Sequence, residues 1–220
     1  MNSNGVSLWP ELWQALGETL QMAIAALAIG GLAGLVLGIA LYVTRAGNIL
    51  ANRPVFVVLN VLVNIVRPIP FIIFITAVRP LTQALTGASY GVEAAIPALA
   101  IMATFATSRI VEQNLVALDP GVVEAARAMG AGPLRIIATV IVPETLGPLI
   151  LGFTFLFVGI VDMTAVAGAI GAGGLGDFAI VYGYQRFNDV VTWTAVAVIV
   201  VMVQLAQLLG NFLARKVLRR

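Results

Sequence analysis

Long stretches of apolar residues without a single charge dominate this chain. Residues 19–43 and 190–214 each form a run of 25 residues that carries no Asp, Glu, Lys or Arg. A helix of about 20 apolar residues crosses the roughly 30 Å hydrocarbon core of a bilayer. Because backbone polar groups in lipid must be satisfied within the segment itself, such runs fold as helices. The pattern predicts an all-α integral membrane protein.

Three further apolar segments raise the predicted number of spans to five. The segment 54–78 is interrupted by Arg67, Pro68 and Pro70, and neither half is long enough to cross a bilayer alone. We therefore predict one span with a kink at the prolines. The five predicted spans, which make up a transmembrane domain at 19–214, lie at about 19–43, 54–78, 94–113, 146–170 and 190–214.

The composition excludes several kinds of chemistry. The chain has no cysteine and no histidine, which removes thiol nucleophiles, imidazole bases and the usual soft-metal ligands. Its one lysine is Lys216, so no phosphate-binding loop of the Gly-Lys-Ser/Thr kind is present. We predict that the chain is not an enzyme and holds no metal or cofactor, and that any ATP driving it is bound by another chain.

The basic residues predict the orientation in the membrane. With the N-terminus outside, nine Arg or Lys residues fall on the inner side, and only Arg79 and Arg186 fall on the outer side. Cytoplasmic loops carry the excess of positive charge in membrane proteins. This predicts an extracytoplasmic lead-in at 1–18, with Trp9 and Trp13 at the interface, and a cytoplasmic basic tail at 215–220. The same scatter of charge argues against a nucleic-acid partner.

A polar segment at 119–143 separates two of the predicted spans. Asp119 before Pro120 is a helix start signal, and Gly130 is suited to end that helix in a left-handed conformation. Gly132 before Pro133 repeats the start signal, and Pro143 predicts a break before the next apolar run. The pattern indicates a helical hairpin, which by spacing alone is equally consistent with an ordinary solvent-side connection.

The hairpin also resembles the EAA loop of ABC importer permeases. The resemblance rests on Glu124, Ala125 and Ala126, then Gly130, and an ending at Pro143 in which valines replace the family's usual aliphatic pair. In that family the loop docks into a cleft of the cytoplasmic ATPase and transmits its motion. The resemblance implies that these five residues form the ATPase-coupling site.

Segments along nearly the whole chain are similar to permeases of methionine ABC transporters. They are LYVTRAGNILANR, NIVRPIPFIIF, VEAARAMGAGP and AIGAGGLGDFAIVYGYQRFN. The resemblance implies a type I ABC importer permease fold in the bacterial inner membrane. It also implies a homodimer that forms a methionine pathway, two cytoplasmic ATPase subunits, and an extracytoplasmic binding protein that delivers substrate near the glycines at 171–176.

Charged and proline residues inside predicted spans are candidates for the substrate pathway. Arg67, Pro70 and Asp162 are costly or disruptive in lipid unless they face a cavity or a partner. Met163, beside Asp162, is a polarizable candidate for contact with a thioether substrate. The alternative hypothesis is an ion-coupled secondary transporter or channel that uses Asp162 and Arg67. The glycines Gly30, Gly34 and Gly38 are predicted to be a helix-packing ridge.

Overall fold

The computed structural model describes residues 2–3 and 6–218, and nearly all of them are helical. A two-residue antiparallel pair, Asn2–Ser3 with Val6–Ser7, precedes the helices. Residues 1, 4 and 5 of the predicted lead-in, and Arg219 and Arg220 of the predicted tail, lie outside the described residues. The α-helices are α1 Trp9–Thr44, α2 Arg53–Val66, α3 Phe71–Ala77, α4 Arg79–Thr86, α5 Gly91–Val116, α6 Pro120–Ala128, α7 Pro133–Ile136, α8 Val142–Ala167, α9 Gly174–Phe178 and α10 Asp189–Leu218.

Helix α1 is longer than the first predicted span. It begins at Trp9, with Pro10 in its first turn, and runs unbroken for 36 residues to Thr44. Leu12 and Ala15 are buried against α9 and α10, so the first turns belong to the core of the bundle. The predicted boundary between a lead-in and a span at residue 18 therefore does not correspond to any break in the helix.

The glycine ridge on α1 packs against α5, which confirms the predicted packing role. A β-carbon added at Gly38 would lie 2.6 Å from the carbonyl oxygen of Ser108. Gly30 and Gly34 approach the α5 backbone just as closely. Only glycine permits these contacts, and the close pair of α1 and α5 forms the centre of the fold.

The predicted kink in the second apolar segment is a sharp bend. Helices α2 and α3 meet at 104° across the break at residues 67–70. Proline cannot continue a helix without freeing carbonyl groups of the preceding turn, and two prolines stand in this break. In the described part of the chain four helical segments are long and apolar enough to cross a membrane, and the bent pair makes a fifth if it forms one span.

Pro143 does not break the chain as predicted. The backbone stays helical from Pro133 through Pro143 and along α8, and a π-helical stretch at Ile137–Ile141 immediately precedes α8. Proline lacks the N–H that would bond four residues back, and the wider π turn accommodates its ring. The second arm of the hairpin therefore continues directly into the membrane helix.

The glycine-rich segment between α8 and α10 is folded and mostly helical. A π-helical stretch at Gly168–Ala172, helix α9 and a second π stretch at Ala179–Gly183 lead to a short 3₁₀ turn. A β-carbon at Gly176 would lie 2.5 Å from the Cα of Ala165, so the segment packs tightly on α8. The segment therefore forms a compact cap on this end of the bundle.

Candidate coupling and transport sites

The hairpin begins with the predicted cap. The Asp119 carboxylate accepts a hydrogen bond from the backbone N–H of Gly121 at 2.9 Å. Pro120 occupies the first turn of α6, where its missing N–H leaves no bond unmade. The two residues start α6 three positions after α5 ends at Val116, so the hairpin follows a membrane helix almost without a linker.

Gly130 ends α6 in the left-handed conformation, with φ of +78°. Its N–H donates to the carbonyl of Arg127, and the N–H of Ala131 donates to the carbonyl of Ala126. These two bonds form a Schellman motif, which satisfies the last carbonyls of the helix. A β-carbon at Gly130 would meet no atom within 4 Å, so backbone conformation alone requires glycine here.

Helix α6 has a buried face and an exposed face. Val123 and Ala126 are 6% and 3% exposed and pack with residues of α5, α7 and the π turn. Glu124, Ala125 and Met129 face outward, and Met129 is 82% exposed. Of the EAA triplet, the first two residues are thus on the outer surface, and Ala126 holds the hairpin against the rest of the chain.

An exposed apolar pair marks the tip of the hairpin. Met129 ends the first arm, and Leu134, which is 80% exposed, begins the second. Both side chains stand beside Gly130 and Pro133, which fix the turn between them. Exposed apolar groups on a polar connection are typical of a contact with another protein.

The four pathway candidates occupy different environments. Arg67 and Pro70 are exposed at the break between α2 and α3. Asp162 is exposed on α8, whereas Met163 is half-buried and packs in the main apolar core together with Phe157. The structure does not join Arg67 to Asp162 by an ion pair. Asp162 lies on an exposed stripe of α8 that also contains Pro148, Leu151 and Phe155.

A polar network between α2 and α5 was missed by sequence reasoning. Arg109 on α5 forms an ion pair with Glu112, and its other nitrogen donates to the side-chain oxygens of Asn60 and Asn64 on α2. Glu112 is 4% exposed. The sequence signal was present: two asparagines four apart and an Arg and Glu three apart, each pair on one helix face.

The segment at 171–174 is fixed to α1 by side chains. Gly171, Gly173 and Gly174 all have positive φ values. Glu18 and Thr19 of α1 accept hydrogen bonds from the backbone N–H groups of Gly174 and Leu175, at 2.7 and 2.8 Å. The side chains of α1 thereby cap the start of α9.

Asp177 on α9 lies in a small acidic cleft with Glu11 and Glu18. Burial raises the pKa of the Asp177 carboxyl above its ordinary value, and the negative charge of Glu18 raises it further. The carboxyl therefore takes up a proton more readily than an exposed aspartate.

The fold, a bundle of long apolar helices with a helical hairpin between α5 and α8, is that of a membrane transport subunit, and the comparisons specify the class. Residues 34–220 match the family described as binding-protein-dependent transport system inner membrane component. The chain belongs to this family. It is a transport permease subunit and a multi-pass protein of the bacterial inner membrane, as predicted, and this membership disfavours the ion-coupled alternative.

Relatives and solved structures match the chain over nearly its whole length. It is 37% identical to the probable D-methionine transport system permease protein MetI of Vibrio cholerae, covering 99% of both chains. It is 40% identical to the methionine import system permease protein MetP of Bacillus subtilis, covering 96% of this chain and 95% of that one. An inward-facing structure of the MetNI methionine ABC transporter superposes with a TM-score of 0.94 at 38% identity, covering 98% and 99%.

Proposed function

We propose that this chain is the membrane subunit of an ATP-driven methionine importer. The observation that carries the proposal is the full-length similarity to MetI and MetP, relatives whose names specify methionine. The MetNI transporter structure, which matches the fold, supports the same substrate and an ATPase partner. Two copies of the chain would form the pathway, with two cytoplasmic ATPase subunits below it and a binding protein outside.

The exposed stripe on α8 supports the homodimer. Asp162 lies on α8, within a segment long and apolar enough to cross a membrane, and is exposed on the surface of the single chain. A carboxylate within a membrane-spanning helix is costly against lipid, so this face should lie against a second copy or a water-filled pathway. Arg67 and Pro70, at the break between α2 and α3, are also unfavourable against lipid, so they too should face a second copy or a water-filled pathway. These three residues, with Met163 behind them, are the proposed pathway.

The hairpin is the proposed contact with the ATPase. Glu124 and Ala125 form its outer face, and Gly130 shapes the turn that presents Met129 and Leu134. Ala126 and Pro143 contribute indirectly, Ala126 by packing the hairpin onto α5 and Pro143 by setting where α8 begins. Because only residues 117–119 separate α5 from α6, and the second arm continues directly into α8, a push on the hairpin would reach the membrane helices.

The proposed ATPase contact of the hairpin also predicts the orientation of the chain in the membrane. The hairpin must be cytoplasmic to meet an ATPase, which places the N-terminus outside in agreement with the excess of basic residues on the inner side. The folded segment at 168–186 then lies at the outer end of the bundle, where a binding protein would release its substrate.

Co-reconstitution with the neighbouring ATPase tests the coupling role. The chain and the ATPase are purified together in lipid nanodiscs, and ATP hydrolysis and complex formation are measured for the parent and for a Glu124→Lys, Gly130→Pro variant. We expect the variant to lose stimulated hydrolysis or ATPase binding while the permease still inserts. Lys216→Ala, which is exposed near the end of α10 and outside the hairpin, is the control. An unaffected double variant would count against the docking role.

A further inference from the structure

Arg109 connects two helices that otherwise touch very little. Its guanidinium nitrogen Nη2 donates to Asn60 at 3.0 Å and also to Asn64, both on α2. Among the residues of α2, only Val63 is buried. No other side-chain hydrogen bond joins α2 to another helix in the described part of the chain. Helix α2 also packs against α1, but its hydrogen-bonded link to α5 is made by Arg109.

The ion pair between Arg109 and Glu112 is largely shielded from water. The Arg109 side chain is 17% exposed, and the Glu112 side chain, which forms its ion pair, is 5% exposed. A buried ion pair persists only when the remaining donors of the arginine are also satisfied. The two asparagine oxygens supply those acceptors. Moving α2 away from α5 would break both hydrogen bonds that the Arg109 guanidinium donates to α2, so the network opposes separation of the two helices.

The position of Arg109 links the two functional regions. Helix α5 continues within three residues into the hairpin helix α6, and α2 ends at the 104° break that carries Arg67 and Pro70. The network thus joins the helix that the ATPase would push to the broken element that would line the pathway. Among the described residues, no other side-chain hydrogen bond joins α2 to α5.

We propose that Arg109 is a positioning residue that makes α2 follow α5 when the hairpin moves. It carries the displacement from the coupling helix to the break at residues 67–70. This proposal rests on the proposed coupling function, because without an ATPase-driven motion there is nothing to transmit. It predicts that loss of the network separates ATP hydrolysis from transport even when the subunit folds and binds its ATPase.

Three variants distinguish loss of the Arg109 network from a general loss of stability. Asn60→Leu with Asn64→Leu removes both acceptors and keeps side-chain volume. Asn60→Asp with Asn64→Asp keeps an acceptor oxygen at both positions and serves as the conservative rescue. Asn114→Leu is the matched control, because Asn114 is also on α5 but bonds only to the carbonyl of Ile110 in its own helix.

Two measurements on the intact complex in nanodiscs and proteoliposomes test the proposal. The first is the amount of methionine transported per ATP hydrolysed. The second is the distance between spin labels at Val58→Cys on α2 and Val116→Cys at the end of α5, with and without ATP. The chain contains no native cysteine, and both positions are exposed, so the labels are specific.

We expect the leucine pair to lower the transport per ATP by about tenfold, since hydrogen bonds to a charged group bias an equilibrium by this order. The label distance should stay constant on ATP addition in the parent, the aspartate pair and Asn114→Leu, and should change in the leucine pair. An unchanged ratio and distance in the leucine pair would overturn the proposal. If the parent itself shows no ATP-dependent uptake, the proposed function fails instead, so the two failures are distinguishable.

Discussion

Glu18 and Gly174 are 156 residues apart in sequence and joined by a hydrogen bond of 2.7 Å from the glycine N–H to the carboxylate. The bond fixes the folded segment at 168–186 to the long first helix. It places a carboxylate of α1 at the start of α9, where free backbone donors favour negative charge. This end of the bundle is thereby tied to the 36-residue helix α1.

Removing this carboxylate should destabilise the segment. Glu18→Ala leaves the N–H of Gly174 without its partner, and we expect a loss of about 1–3 kcal/mol in the free energy of unfolding. Glu18→Gln keeps an acceptor and should lose less. The measurement is thermal unfolding of the purified protein in detergent. Gln14→Ala, which removes only an exposed donor to Glu18, is the control, and an equal loss there would contradict the assignment.

Adding a methyl group to the glycine ridge should disrupt the packing of α1 on α5. Gly38→Ala forces a β-carbon against the Ser108 carbonyl and Val111, and we expect a loss of several kcal/mol or failure to fold, as for other overpacked sites. Gly17→Ala lies on the same helix, meets no atom within 4 Å, and should be neutral or slightly stabilising. The yield of folded protein and its melting temperature distinguish the two. Similar behaviour of both variants would argue against the close helix contact.

Replacement of Gly130 should alter the hairpin through backbone conformation alone. With φ of +78°, Gly130→Ala should cost about 1 kcal/mol, and Gly130→Asn should cost less because asparagine tolerates this region. We expect stimulated ATP hydrolysis to decline in the order glycine, asparagine, alanine. Gly132→Ala, which has negative φ and open space around its β-carbon, is the matched control. Equal activity of Gly130→Ala and the control would exclude a conformational requirement.

Acidification should stabilise the cleft around Asp177. The pKa of this carboxyl is raised in the folded protein, chiefly by burial and then by the charge of Glu18. The folded state therefore holds the proton more tightly than the unfolded chain, so its stabilising contribution is complete below about pH 4, the ordinary range of aspartate, and is lost as pH rises through the raised pKa. Melting temperature measured against pH should show this slope.

Asp177→Asn is the variant that tests the assignment. It removes the titrating group and should flatten the slope above pH 4. Asp189→Asn, at the exposed start of α10 and outside the cleft, is the control for the general effect of removing a carboxylate. If Asp177→Asn titrates like the parent, another group is responsible.

Local signals in the sequence predicted the elements that local chemistry determines. The uncharged runs became helices because their backbone has no other partner in lipid, and Asp119 and Gly130 cap α6 because their side-chain and backbone preferences act within a few residues. The glycine ridge was also predictable, since its spacing places three small residues on one helix face.

Features that depend on distant contacts were not predictable. The continuation of α1 through residues 9–18 depends on burial of Leu12 against α9, more than 160 positions away. The network at Arg109 depends on where α2 lies, which no spacing within α5 reveals. The π turn before Pro143 was not predictable, because packing determines whether a helix breaks or widens at a proline.

Uptake of labelled methionine into proteoliposomes tests the central claim most directly. The vesicles contain this chain with its ATPase and are supplied with substrate-loaded binding protein on one side and ATP on the other. The account predicts uptake that requires ATP, persists when ion gradients are collapsed, and is abolished by Glu124→Lys with Gly130→Pro. Uptake that proceeds without ATP and follows an ion gradient would contradict it, and would assign the transport chemistry to Asp162 and Arg67.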